Sequence, residues 1–177
     1  FRSILTRRGA LATGGGFAAS LLAARVGFAA TATEIAMRGT KDGGRISFDP
    51  VGLWIEPGQS VRFVNRDGGN THTSTAYCPD IDGRPLRIPT GAKGWDSDYL
   101  EPGQAFEIAL EVPGVYDFYC RPHEHAGMVG RIVVGRPGDG GQWQQNAEVG
   151  DLPPEILAAF PTVEDIWSVG HNAVASE

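Results

Sequence analysis

A chain of 177 residues, 41% of them hydrophobic, can bury one sizeable core and gives no reason to posit a second full domain. Its 25 glycines and 12 prolines divide it into short elements joined by tight turns, which suits an all-β sandwich and argues against a helical bundle. The formal charge of -6 hides an asymmetry: residues 1–32 hold four arginines and no acid, so the rest, with 11 basic and 21 acidic residues, stands at -10 and should repel nucleic acid.

The chain opens with Thr6-Arg7-Arg8-Gly9-Ala10-Leu11, adjacent arginines directly before a small and apolar run from Gly9 to Ala24. This resembles a twin-arginine export signal, and the small residues Ala30-Thr31-Ala32 predict cleavage after Ala32, or after Ala30, with a mature chain beginning close to Thr33. The competing reading is a short membrane anchor or an ordinary helix, although the run is short for a span. Residues 1–32 are therefore expected to be an export signal that sends the chain to the periplasm, with membrane contact only if the segment is retained.

From Glu34 onward, alternating apolar segments are separated by Pro-Gly, Gly-Gly and Asp-Gly pairs. Seven or eight strands are predicted, near 34–37, 45–48, 51–56, 60–66, 71–77, 104–111, 114–120 and 129–135. Period two places Phe106, Ile108, Leu110 and Val112 on one face and Glu107 and Glu111 on the other. The same rule puts Tyr116, Phe118 and Cys120 on one face, so Cys120 points inward at a strand end, with Val115, Asp117 and Tyr119 opposite. Between Cys78 and Leu100 the alternation gives way to a long loop rich in Pro, Gly and Asp, an insertion or a binding loop. Beyond Gly135, Arg136 to Gly141 reads as a linker, Pro153 to Phe160 as a short helix with proline in its first turn, and Pro161 to Trp167 as the start of a second. The tail 136–177 is expected to pack on its own domain, ahead of binding a partner or remaining mobile.

The stretch Cys120-Arg121-Pro122-His123-Glu124-His125-Ala126-Gly127-Met128 carries the chemistry. It sets a thiolate, an imidazole and a thioether on one loop able to wrap one ion. A soft thiolate with imidazoles in a near-trigonal plane and a weak axial thioether suits copper moving between its cuprous and cupric states. Of the four histidines, His72 follows the strand-like 61–66 segment and is the natural second imidazole, against the plainer reading of a satisfied core histidine. His125 reads as a surface histidine, and His171 has no assigned role.

The run Tyr116-Asp117-Phe118-Tyr119-Cys120-Arg121-Pro122-His123-Glu124-His125-Ala126-Gly127-Met128-Val129-Gly130 resembles the copper loop of the cupredoxin, or type 1 blue-copper, family, and is closest to plastocyanins and pseudoazurins. The resemblance covers roughly 34–135 and leaves the 78–100 loop and the tail unmatched. It implies a Greek-key β-sandwich or barrel over 33–135, one copper ion held by His72, Cys120, His123 and Met128, and one-electron transfer rather than enzymatic catalysis. It further implies that Tyr119 can lie on a second electron path and that Pro122, Ala126 and Gly127 surround the edge of His123 as an apolar docking patch. The implied partners are a redox donor and acceptor, a cytochrome or a membrane or periplasmic oxidoreductase. Two other functions compete: copper storage or delivery, and a fixed copper subunit of a membrane redox complex.

Cys78 departs from that pattern. An exported protein with two cysteines would by default carry a disulfide, but a Cys78–Cys120 bond would abolish the metal site, so Cys78 is expected to be a buried free thiol.

Overall fold

The structure is a computed structural model that describes residues 32–40, 44–143 and 152–170. The expected export signal lies outside the described residues except for its last position, and His171 lies outside them as well.

Eight strands follow one another as β1 (Thr33–Gly39), β2 (Ile46–Asp49), β3 (Gly52–Ile55), β4 (Ser60–Asn65), β5 (Thr75–Ala76), β6 (Ala105–Ala109), β7 (Gly114–Tyr119) and β8 (Val129–Val134). They make two four-stranded sheets, ordered β2-β1-β4-β6 and β3-β8-β7-β5. The pairs β1–β4 and β3–β8 are parallel and the other neighbours antiparallel. Parallel partners cannot be joined by a hairpin, so the chain crosses from one sheet to the other at β2–β3 and back at β3–β4. The expected sandwich is present. Its barrel alternative is not, because no strand pairing joins the edges of the two sheets among the described residues.

The run 71–77, predicted as one strand, narrows to the two residues of β5, which pair with Tyr119 and Phe118. Its backbone is shared between two neighbours. His72 and Leu100 exchange N–H to C=O bonds of 3.2 and 2.8 Å, and the Ala76 N–H donates to Trp95 at 2.9 Å. On the other side Arg87 is interposed, its N–H donating to Tyr77 at 3.0 Å and its carbonyl accepting from Asp117 at 2.9 Å. The 78–100 loop thus folds back on the strand that precedes it.

Ile35, Met37, Phe48, Phe63, Phe118 and Ile132 fill the space between the sheets, all buried. The Phe118 ring centroid stands 4.7 Å from Phe48 and 5.2 Å from Phe63, both edge-on, the arrangement that ring quadrupoles favour. In β6 the predicted alternation holds: Phe106 and Ile108 pack on the core while Glu107 faces water.

In β7 both faces are buried, because the C-terminal extension covers the outer one. Helix α1 (Pro154–Ala159), with proline in its first turn, brings Ile156, and with Leu152 and Phe160 covers Tyr77, Tyr119 and Val129. Helix α2 (Val163–Ser168) is capped by Thr162, whose hydroxyl accepts the Asp165 N–H at 3.0 Å, and sets Ile166 on Trp54 and Val133. The fully buried Asp117 binds both Arg87 and Arg131, and these guanidiniums lie 5.3 and 5.1 Å from the Phe160 ring centre. The extension therefore packs on its own domain, as expected.

Candidate metal centre

The loop from β7 to β8 is shaped by its own residues. Cys120 is extended, Pro122 opens a short 3-10 helix over Arg121–Ala126, and Gly127 ends it at a φ of 82° that favours glycine. Met128 then returns beneath Cys120: its carbonyl accepts the Cys120 N–H at 3.0 Å, and its own N–H donates to His123 at 3.2 Å. The result is a closed loop in which Cys120 and Met128 are fully buried and His123 is half-buried.

His72 comes from the segment between β4 and β5, just ahead of the strand that pairs with β7. The loop after β4 is held by Asn65, whose amide donates to the carbonyls of Asn70 and Leu100 at 2.8 Å each and accepts the Asp67 N–H at 2.9 Å. That places the His72 ring, wholly buried, against the metal-binding loop. Three atoms converge: Cys120 Sγ lies 3.6 Å from His72 Nδ1 and 3.4 Å from His123 Nδ1, and the two nitrogens are 3.1 Å apart. The Thr73 N–H donates to the same sulfur at 3.3 Å, and the Thr73 hydroxyl accepts the Arg121 N–H at 2.9 Å, locking the two segments together.

Burial pushes the Cys120 thiol up to about 11, against the pull of the Thr73 and His123 amides. Burial, with His72 beside it, lowers His123, which keeps that imidazole neutral and its lone pair available. At Asp67 burial acts upward, but the hydrogen bonds from Asn70, the Gly69 amide and His72 outweigh it and hold the carboxyl at about 2. Sulfur and ring nitrogens at these distances can hydrogen-bond one another, and once the thiol and the facing ring nitrogens give up their protons they form a compact donor set able to hold a cation. A point equidistant from all three lies about 2 Å from each, the ordinary bond length from a first-row metal ion to imidazole nitrogen. One thiolate with two imidazoles is, moreover, a donor set that fits copper.

Residues 35–135 match the family profile described as copper binding proteins, plastocyanin/azurin family. The chain belongs to that family. A chloroplastic plastocyanin of Oryza sativa subsp. indica is 34% identical over 134 residues, covering 75% of this chain and 84% of the relative. One from Chlamydomonas reinhardtii is 39% identical over 94 residues, 52% of this chain and 61% of the relative, so against this second plastocyanin the likeness stops short of two thirds. Among solved structures, a pseudoazurin from Methylobacterium extorquens is 29% identical, covers 60% of this chain and 78% of its own, and superposes with a TM-score of 0.45. Copper is the cofactor of this plastocyanin/azurin-family chain, by its family profile and by its donor set.

Of the residues singled out from sequence, the fold brings His72, Cys120 and His123 together, and buries Met128 at the end of the same loop. His125 is exposed. Cys78 and Cys120 are both free, and Cys78 is buried, as expected.

Sequence reasoning missed the groups that hold the site. Asp67 accepts from His72 Nε2 at 3.0 Å, and nothing in Asp67-Gly68-Gly69-Asn70 distinguishes it from an ordinary turn aspartate. Glu124, flanked by two histidines, is buried, accepts the Tyr77 hydroxyl at 2.7 Å and pairs with Arg84. From the 78–100 loop, Asp82 accepts from Arg121 Nε at 2.8 Å and from the Tyr119 hydroxyl at 3.1 Å, and Asp96 lies 2.9 Å from Arg121. The long loop braces the metal-binding loop from outside.

Proposed function

We propose that this chain carries single electrons between redox proteins outside the cytoplasm, with one copper ion held by His72 Nδ1, Cys120 Sγ, His123 Nδ1 and the Met128 thioether. The observation that carries the reading is the buried convergence of one sulfur and two ring nitrogens within 3.6 Å of one another. Bound there, copper supplies a one-electron couple between its cuprous and cupric states.

The protein's own part is to keep the donors still. Thr73 and the loop's internal hydrogen bonds fix Cys120, Asn65 and Leu100 fix the segment bearing His72, and Glu124 anchors the turn bearing His123. A cage that does not move when the charge changes gives small rearrangement, and hence fast transfer. The same burial excludes water from the sulfur. His123 alone of the four proposed ligands is partly accessible, with Pro122 and Ala126 exposed beside it, and this edge is the surface through which partners exchange electrons. The partners are proposed to be a donor and an acceptor, a cytochrome or a membrane or periplasmic oxidoreductase, and the chain performs no catalysis of its own. Residues 33–135 form the copper domain, 136–177 its extension, and 1–32 a periplasmic export signal. No helix among the described residues is long and apolar enough to cross a membrane.

Copper titration followed by optical and spin-resonance spectroscopy tests the reading. The expected result is one copper per chain, an intense visible band from sulfur-to-metal charge transfer and a reversible potential. Cys120→Ala should abolish the band while leaving the far-ultraviolet circular dichroism unchanged. A band that survives that substitution would refute the ligand assignment.

A further inference from the structure

We infer that Asp67 is a charged positioning residue of the metal centre, its carboxylate orienting the His72 ring from behind and biasing the centre toward its oxidised state. This rests on the ligand assignment proposed above and adds to it a residue that makes no bond to the metal.

Asp67 lies in the turn that follows β4 and is 4% exposed. Its Oδ2 is 3.0 Å from His72 Nε2 and accepts from Asn70 Nδ2 at 2.8 Å, while its Oδ1 accepts the Gly69 N–H at 2.8 Å. Three donors converge on one side chain, the pattern that an ionised carboxylate satisfies and a protonated acid would spoil by setting an O–H against a donor. With Nε2–H donating to Asp67, His72 presents the unprotonated Nδ1, the atom that faces Cys120 Sγ and His123 Nδ1.

A neutral acceptor would orient the ring equally well. The carboxylate adds a buried negative charge that makes the ring nitrogen a stronger donor and favours the more positive of two metal states, most of all where no water screens it. The neighbouring strand makes room for it. A Cβ built at Gly39 would stand 1.9 Å from Asp67 Oδ2 and 2.5 Å from its Cγ, and the Gly39 backbone does not itself require glycine. The end of β1 is thus left bare where the carboxylate sits.

The test uses the copper-loaded full chain. Asp67→Asn keeps an acceptor for His72 and removes the charge. The expected outcome is an intact visible band with a higher midpoint potential: at fixed ambient potential the ratio of reduced to oxidised protein rises about tenfold, a shift of about 59 mV for a one-electron couple. Gly39→Ala retains the charge but drives the carboxylate away from the ring, and should move the potential in the same direction by a smaller amount. In the copper-free wild type, nitrogen NMR should find the His72 proton on Nε2. A potential that stays put or falls in the variants, or a His72 proton found on Nδ1, overturns the inference. If Asp67→Asn does not fold or hold copper, Gly39→Ala decides alone. Failure of the underlying ligand assignment looks different, since the wild type would then take up no copper or Cys120→Ala would keep its colour.

Discussion

Replacing Asp117 by Asn should cost the metal-free protein about 3–5 kcal/mol, the range for breaking a buried ion pair by removing one partner. The aspartate is fully buried and binds two guanidiniums: Arg87 through Nε and Nη2, both at 2.9 Å, and Arg131 through Nε at 2.7 Å and Nη2 at 3.1 Å. The Arg87 side chain is only 3% exposed and that of Arg131 12%, so neither regains much water once the carboxylate is gone. The same pairs at the surface would be worth under about 1 kcal/mol, and burial therefore sets the scale. Because Phe160 lies over both guanidiniums, the loss should also free the extension. Urea unfolding followed by tryptophan fluorescence measures the first effect, and limited proteolysis of the extension reports the second. Phe160→Ala in the same assay should cost about 3 kcal/mol, and a double variant should lose less than the sum of the two by about 0.5–3 kcal/mol, as groups acting as a unit do. A loss below about 1 kcal/mol for Asp117→Asn with the extension still protected would refute the clasp.

Glu124→Ala should destabilise by about 2 kcal/mol, since the fully buried Tyr77 hydroxyl then lacks its acceptor, whereas Glu124→Gln, which keeps one, should cost less; chemical denaturation compares them. His125→Ala should leave copper stoichiometry and the visible band unchanged, because the side chain is exposed; a lost band would place that histidine in the site. Acid unfolding of the copper-free protein should show a contribution from Asp67. Its carboxyl lies at about 2 against an ordinary 3.8, so the buried group adds about 2 kcal/mol that is fully present above pH 3.8 and lost as the pH falls through about 2. Asp67→Asn should flatten that part of the profile.

What could be read in advance was whatever the strand period controls. Phe106 and Ile108 turn inward, and Cys120 lands at an inward-facing strand end, because side chains alternate along an extended backbone whatever lies around it. The loop residues Cys120, His123 and Met128 were visible because their chemistry sits on contiguous residues, and His72 because so few histidines compete. What escaped depends on parts of the chain that meet only after folding. Period two puts Asp117 on the face of β7 opposite Tyr116 and Phe118 but does not say what covers that face, and residues 152–166 of the extension do so. The run 71–77 has the composition of a full strand, but the returning 95–100 segment and Arg87 take most of its backbone partners. Glu124 is charged and flanked by two histidines, and its burial is explained by Tyr77 and the loop carrying Arg84, which reach it only after folding.

The clasp across the outer sheet also bears on where the gene can be cut. A version ending at residue 135, the limit of the family match, would strip the cover from Tyr77, Tyr119, Val129, Trp54 and Val133 at once. Contiguous greasy surface of that kind draws molecules to one another, so the shortened protein should come out of cells as aggregates however sound its copper cage. A version that stays in solution is expected to run at least to α2, well past the end of the family match.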